Sequence, residues 1–171
     1  THPRSSAASD VYKRQRLYPP KLYKGVAWQD NPNLFYLGMQ DQFHTFNMFD
    51  AQAWYVRDII MNKISLPSND EMEKDIKNWV SKEEALEDAH QMIDFQTDYC
   101  VDLCSSIDYP KIDFELIRKN FYEWEDHKEE NILTYRDKSF PSPVTGTVGP
   151  SHHTTWLEAM DDSMQTYLKT K

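Results

Sequence analysis

Residues 22–61 read LYKGVAWQDNPNLFYLGMQDQFHTFNMFDAQAWYVRDIIM, and the order of signals in this stretch decides the fold. Leu22 to Trp28 is rich in β-formers, Asp30-Asn31-Pro32-Asn33 is a turn sequence, and Leu34 to Gly38 is a second β-prone run. Two short strands are therefore expected at the head of the chain. Asn47 is placed to cap a helix over 48–61, with Phe49, Ala53, Val56 and Ile60 on one apolar stripe. Two strands and a helix need partner strands and covering layers, and this chain supplies few of either.

Downstream the helical period dominates. Glu71 to Val80 reads as a short acidic helix, and Ser81 with Glu84 as a capping box that opens a longer one to about Cys104, with Leu86, Ala89, Ile93, Cys100 and Cys104 inward. Asp113 caps a further helix to about Glu130 that turns Leu116, Ile117, Phe121 and Trp124 inward. Residues 132–150 hold Pro141, Pro143, Gly146, Gly149 and Pro150 and read as an ordered arm, and a last helix is expected from Thr155 to about Lys169. Residues 1–15 are small, polar and without period, and resemble translated adaptor DNA joined to a truncated gene. A native disordered tail is the other reading.

Composition narrows the function. The chain of 171 residues is 39% apolar and carries a formal charge of -9, with a pI near 5.1. Such a balance argues against binding nucleic acid through phosphate neutralisation. No run of eighteen apolar residues and no secretory apolar segment is present, so a cytoplasmic protein without membrane insertion is expected. Cys100 and Cys104 suit reduced, buried thiols, and His152-His153 lacks the spaced third ligand of a metal site. Asp161 and Asp162 read as the solvated face of the last helix, and Tyr122, Trp124, Trp156 and Tyr167 as packing aromatics.

The densest chemistry lies in GMQDQFHTFNMFDAQAW, residues 38–54. A strand ending at Gly38, a polar loop and a helix beginning near Asn47 create a helix N-terminus that favours an anion or an electron-rich ring. Open α/β folds bind ligands at the carboxyl ends of their strands. The plainer reading is a strand-to-helix loop whose amides satisfy only the backbone.

This string resembles the segment that follows the last long strand in flavin-containing monooxygenases, most closely the bacterial trimethylamine monooxygenase branch. Leu22-Tyr23-Lys24-Gly25-Val26, Asn31-Pro32-Asn33-Leu34-Phe35-Tyr36, Ser142-Pro143-Val144-Thr145-Gly146-Thr147 and Trp156-Leu157-Glu158-Ala159-Met160-Asp161-Asp162-Ser163 are similar to it as well, so the resemblance covers residues 17–171 or so. It implies a parent α/β enzyme with FAD- and NAD(P)-binding domains, of which this chain is a mostly α-helical fragment with a few short N-terminal strands. Residues 16–67 would be the end of the FAD-binding domain, and 68–171 a helical extension with its arm at 132–150.

The implied chemistry uses FAD, NADP(H) and molecular oxygen to oxygenate a small amine or sulfide, in an enzyme that is often a homodimer. By the same resemblance Gln42 and Thr45 contact the flavin. Asp41 stands near flavin and nicotinamide as the catalytic candidate, and Arg136 reaches NADP as a paired phosphate donor. Residue by residue the alternatives are a loop or cap aspartate for Asp41 and a surface pair with Asp137 for Arg136. Phe43 and His44 depart from the family pattern and bear on the shape of the pocket; His44 could titrate near neutral pH if exposed.

The four glycines, Gly25, Gly38, Gly146 and Gly149, form no G-x-G-x-x-G, so the chain alone is expected to bind neither dinucleotide and to be inactive. Competing readings are a helical protein-interaction module and a flavin monooxygenase for larger amines or ketones.

Overall fold

The computed structural model describes residues 18–38 and 43–149. The chain divides into two compact units, 1–110 and 111–171. Among the described residues the first unit holds β1 (Leu22–Tyr23), β2 (Ala27–Trp28), α1 (Thr45–Ile60), α2 (Asn69–Glu84) and α3 (Ala89–Ser105), and the second holds α4 (Phe114–Glu130). The expected class, mostly helical with a few short strands at the head, is what is observed.

The β-rich run 22–28 is a hairpin and not a single strand. Lys24 and Gly25 both take positive φ, 50° and 64°, and the amide of Val26 donates to the Tyr23 carbonyl at 3.1 Å, so the chain reverses there. Leu22 pairs with Trp28 and Tyr23 with Ala27. The segment 34–38 joins this hairpin by one antiparallel bridge, Ala27 to Phe35, with the Trp28 amide on the Leu34 carbonyl (2.9 Å) and the Tyr36 amide on the Val26 carbonyl (2.8 Å).

A left-handed conformation costs a lysine about 1 kcal/mol or more. Lys24 is fixed there because its Nζ reaches two carboxylates, Asp102 of α3 at 2.6 Å and Asp75 of α2 at 3.2 Å, while its carbonyl accepts the Tyr99 hydroxyl at 2.7 Å. Burial opposes the ammonium, but the hydrogen bond and charge of Asp102, with the charge of Asp75, outweigh it and raise the Lys24 pKa. Asp75 is also raised, by burial first, since a single lysine is shared between two acids and lies nearer the other.

Beneath the hairpin lies an aromatic core. Tyr18 stacks on Trp79 at 5.9 Å and 8°, and Trp79 meets Phe95 and Tyr99 edge-on at 5.4 and 5.6 Å. The Tyr18 hydroxyl accepts the Gly25 amide at 3.0 Å, so the cluster holds the hairpin turn as well as the helices. Ile93, Cys100 and Leu103 of α3 complete the core. Both cysteines are free, as expected; burial and the Asp50 carboxylate push the Cys104 thiol up to about 12, far from a reactive thiolate.

Three helix readings need correction. The capping box is Ser68 with Glu71, in which the Ser68 oxygen accepts the Glu71 amide and the Glu71 carboxylate accepts the Ser68 amide at 2.9 Å. Ser81 and Glu84 have the same spacing but belong to the end of α2, which runs unbroken from Asn69 to Glu84 through the break predicted near Ser81. Asp88 caps α3 by accepting the Gln91 amide at 2.8 Å. In α1 the helix opens at Thr45, behind His44, and not at an Asn47 cap. Its buried face is Met48, Ala51, Gln52, Tyr55 and Val56; Phe49, Ala53 and Ile60 of the expected stripe are exposed.

In the second unit α4 runs as expected behind its Asp113 cap, which accepts the Leu116 amide at 2.9 Å. Ile117 is buried, while Leu116, Phe121 and Trp124 are half-buried. The residues after α4 fold back along it: Tyr135 packs edge-on against Trp124 at 5.1 Å, Asn120 donates to the Pro141 carbonyl at 3.1 Å, and the Asp113 amide donates to the Pro143 carbonyl at 3.0 Å. The predicted helix 155–169, with Trp156, Asp161, Asp162 and Tyr167, and the pair His152-His153 lie outside the described residues.

The ion triad generates a prediction with a defined sign. Lys24 contributes stability below its ordinary 10.5 and loses it as pH rises through its higher folded value, whereas the ionised Asp75 costs stability that is regained as pH falls through its raised folded value. Lys24→Met strands two carboxylates and should destabilise the first unit by about 3 kcal/mol near neutral pH. Urea unfolding followed by circular dichroism should find a smaller loss in mild acid, where the carboxyls protonate. An equal loss at both pH values would contradict the triad.

Candidate functional site

The extended run 34–38 ends at Gly38, whose φ of +108° is closed to ordinary L residues. Its amide donates to Gln52 Oε1 at 2.9 Å, and Gln52 Nε2 donates to the Tyr99 hydroxyl at 3.0 Å. Tyr99 in turn donates to the Lys24 carbonyl. The end of the strand is thereby wired through α1 and α3 to the hairpin. Gln52 is fully buried, and both ends of its amide are satisfied, which is what makes a buried amide tolerable.

The chain is described again from Phe43, and here α3 provides the anchor. Gln96 Oε1 accepts the amides of Phe43 at 3.2 Å and His44 at 3.4 Å. The His44 ring lies 2.9 Å from Thr97 Oγ1 through Nε2. Because the Thr97 hydroxyl donates to the Ile93 carbonyl at 2.7 Å, it accepts from the ring, so Nε2 carries the proton. His44 is 1% exposed, which removes the condition attached to its titration near neutral pH.

Beyond these anchors α1 opens with Thr45, half-buried, and Phe46, 86% exposed. The helix has sixteen residues and no acid in its first turn, so within that turn no carboxylate weakens the positive end of its dipole. A helix start of this sign, with the Thr45 hydroxyl beside it, suits an electron-rich group. Asp41 and Gln42 lie outside the described residues. Arg136 sits in the other unit, exposed, with its guanidinium 5.1 Å from the Tyr135 ring centre. The buried glutamines and Thr97 escaped the sequence reading, since an amide on an apolar helix face carries no periodic signal; the nearest clue was the Gln96-Thr97 pair falling between the apolar Ile93 and Cys100.

Open α/β folds bind ligands where strand ends meet helix N-termini. No family model matches the chain. It is, however, 70% identical over 156 residues to a trimethylamine monooxygenase of Pelagibacter sp. (strain HTCC7211), covering 91% of this chain and 35% of that protein. It is 54% identical over 152 residues to the trimethylamine monooxygenase of Methylocella silvestris, covering 89% of this chain and 34% of that protein. The crystal structure of Tmm from Pelagibacter sp. strain HTCC7211 matches with a TM-score of 0.82 at 70% identity, over 90% of this chain and 35% of that one. Along about nine-tenths of its length the chain is similar to these trimethylamine monooxygenases. It spans about a third of the length of these relatives.

Gly38 tests the strand end. An added Cβ would meet only Phe49, at an ordinary 3.9 Å, so Gly38→Ala should lose stability through backbone strain alone, by about 1–3 kcal/mol. Urea unfolding measures it, and an unchanged midpoint would contradict the left-handed geometry.

Proposed function

We propose that this chain is part of an FAD- and NADPH-dependent monooxygenase that N-oxygenates trimethylamine or a similar small amine or sulfide, in a cytoplasmic, homodimeric enzyme, and that the chain alone is inactive. The observation that carries this reading is the 70% identity to a trimethylamine monooxygenase along nine-tenths of the chain. A flavin, when bound, supplies hydride acceptance and oxygen activation. The chain's own residues bind and orient. Gln42 and the Thr45 hydroxyl face the flavin, and the N-terminus of α1 favours its reduced, electron-rich form. Asp41 orders a water or the nicotinamide beside it. Arg136 donates paired hydrogen bonds to an NADP phosphate. Residues 16–67 then close the FAD-binding domain, and 68–171 form a helical extension.

The four glycines of the chain build neither phosphate-binding turn. The chain by itself should purify colourless and show no amine-dependent NADPH oxidation. Residues 17–171 fused behind the preceding part of the Pelagibacter relative should be yellow and oxidise NADPH when trimethylamine is added. A colourless, inactive fusion would overturn the reading, as would flavin absorbance in the chain alone.

A further inference from the structure

Leu34-Phe35-Tyr36-Leu37 is an apolar run without alternation, and residues 31–38 carry no charge. A strand at a sheet surface alternates apolar with polar, whereas a continuous apolar run is the pattern of a strand covered on both faces. Here the run is uncovered. Leu34 and Tyr36, which project to one side, are 51% and 47% exposed, and Leu37, which projects to the other, is 48% exposed. Its backbone is open as well. The Leu34 carbonyl and the Tyr36 amide face the hairpin, where they bond to Trp28 and Val26. Phe35 is the non-hydrogen-bonded member of its pair with Ala27, so its N–H and C=O point to the opposite edge, as by the two-residue period do those of Leu37. Neither residue has a backbone hydrogen bond among the described residues. Strand edges that stay free are guarded by a charge or a proline, and residues 34–37 contain neither. The start of α1 extends the apolar surface: Phe49 stands 3.9 Å from where a Cβ on Gly38 would lie, and Phe46, one turn earlier, is 86% exposed.

We propose that residues 34–37 are an inner strand of a sheet whose next strand lies in the part of the parent enzyme outside this chain. That strand, uncharged and apolar, bonds Phe35 and Leu37 along the open edge and helps to bury Leu34, Tyr36, Leu37 and Phe46. The inference rests on the parent-enzyme reading above, but not on its cofactor. The matched Pelagibacter protein keeps about two-thirds of its length outside the region this chain covers, so the material for a further strand exists. With no charge on the edge, a partner recognised by charge gains nothing here; main-chain hydrogen bonds supply the affinity and alternate side chains the fit. A second copy of the chain is a poorer occupant. Four edge residues and a phenylalanine are small beside the roughly 800 Å² per partner that a stable dimer buries. A strand of the same polypeptide needs no such area, because its docking is intramolecular.

Residue-resolved hydrogen exchange, on the chain alone and on residues 17–171 fused behind the preceding part of the Pelagibacter relative, reads the edge directly. In the chain alone the Phe35 and Leu37 amides should exchange fast, while those of Tyr36 and Gly38, already bonded, are slowed. In the fusion Phe35 and Leu37 should slow by about 10-fold or more, with or without FAD. Leu37→Lys supplies a second readout. It should leave the Tm of the chain alone unchanged and lower that of the fusion by about 5 °C or more, with Leu37→Met close to wild type in both. An insoluble Leu37→Lys fusion beside an unchanged chain supports the proposal equally. Fast exchange at Phe35 and Leu37 in the folded fusion, or an equal effect of Leu37→Lys on both proteins, would overturn it. Slow exchange already present in the chain alone would overturn it too, and its rise with concentration would assign the edge to a second copy. A colourless fusion in which both amides are slowed would sink the flavin reading and leave this inference standing.

Discussion

The structure of the first unit depends on one buried relay. The Gly38 amide donates to Gln52, Gln52 donates to Tyr99, and Tyr99 donates to the Lys24 carbonyl. These bonds join the strand end, both packing helices and the hairpin turn. The Gln52 and Tyr99 side chains are removed from water, so loss of either leaves its partner unpaired, at about 1–3 kcal/mol. The Lys24 ammonium adds Asp75 and Asp102 to the same node, and the Tyr18–Trp79–Phe95–Tyr99 cluster shields it. The hairpin, two residues per strand, is too small to persist by itself, and this node ties it to the helices.

The relay also gives the candidate site its form. Flavoprotein chemistry belongs to the cofactor, and the protein's part is to hold a few groups at fixed positions around it. A short polar segment between a strand and a helix would sample many conformations if only its own backbone restrained it. Buried amides hold the Gly38, Phe43 and His44 backbone on either side, and the first turn of α1 carries no acid to weaken the helix dipole. Fold stability and site geometry therefore draw on the same buried amides.

Where local chemistry decides an element, the sequence was enough: Asp113 caps α4 and the helix runs to Glu130 as its period requires. The end of α2 and the start of α3 were misread because two S-x-x-E strings lie thirteen residues apart, and the box is made by Ser68 and Glu71 while Asp88 caps α3. The inner face of α1 was misread for a deeper reason. Phe49, Ala53, Val56 and Ile60 make a plausible stripe, yet the buried side is set by Gln52, whose partners Gly38 and Tyr99 stand fourteen residues before it and forty-seven after it in the chain. Hydrophobic periodicity cannot register a buried amide. Thr45 was named through the family resemblance alone, with the helix expected behind Asn47, whereas Gln96 and Thr97 became visible only once α3 was seen packed beside α1.

The proposed function makes the start of α1 one wall of a flavin site. Hydrogen exchange on the full-length fusion, compared with and without FAD, tests it most directly. The account predicts slower exchange on flavin binding in peptides spanning 39–48, with the aromatic core around Trp79 unchanged. Flavin binding that leaves exchange in 39–48 untouched would contradict it.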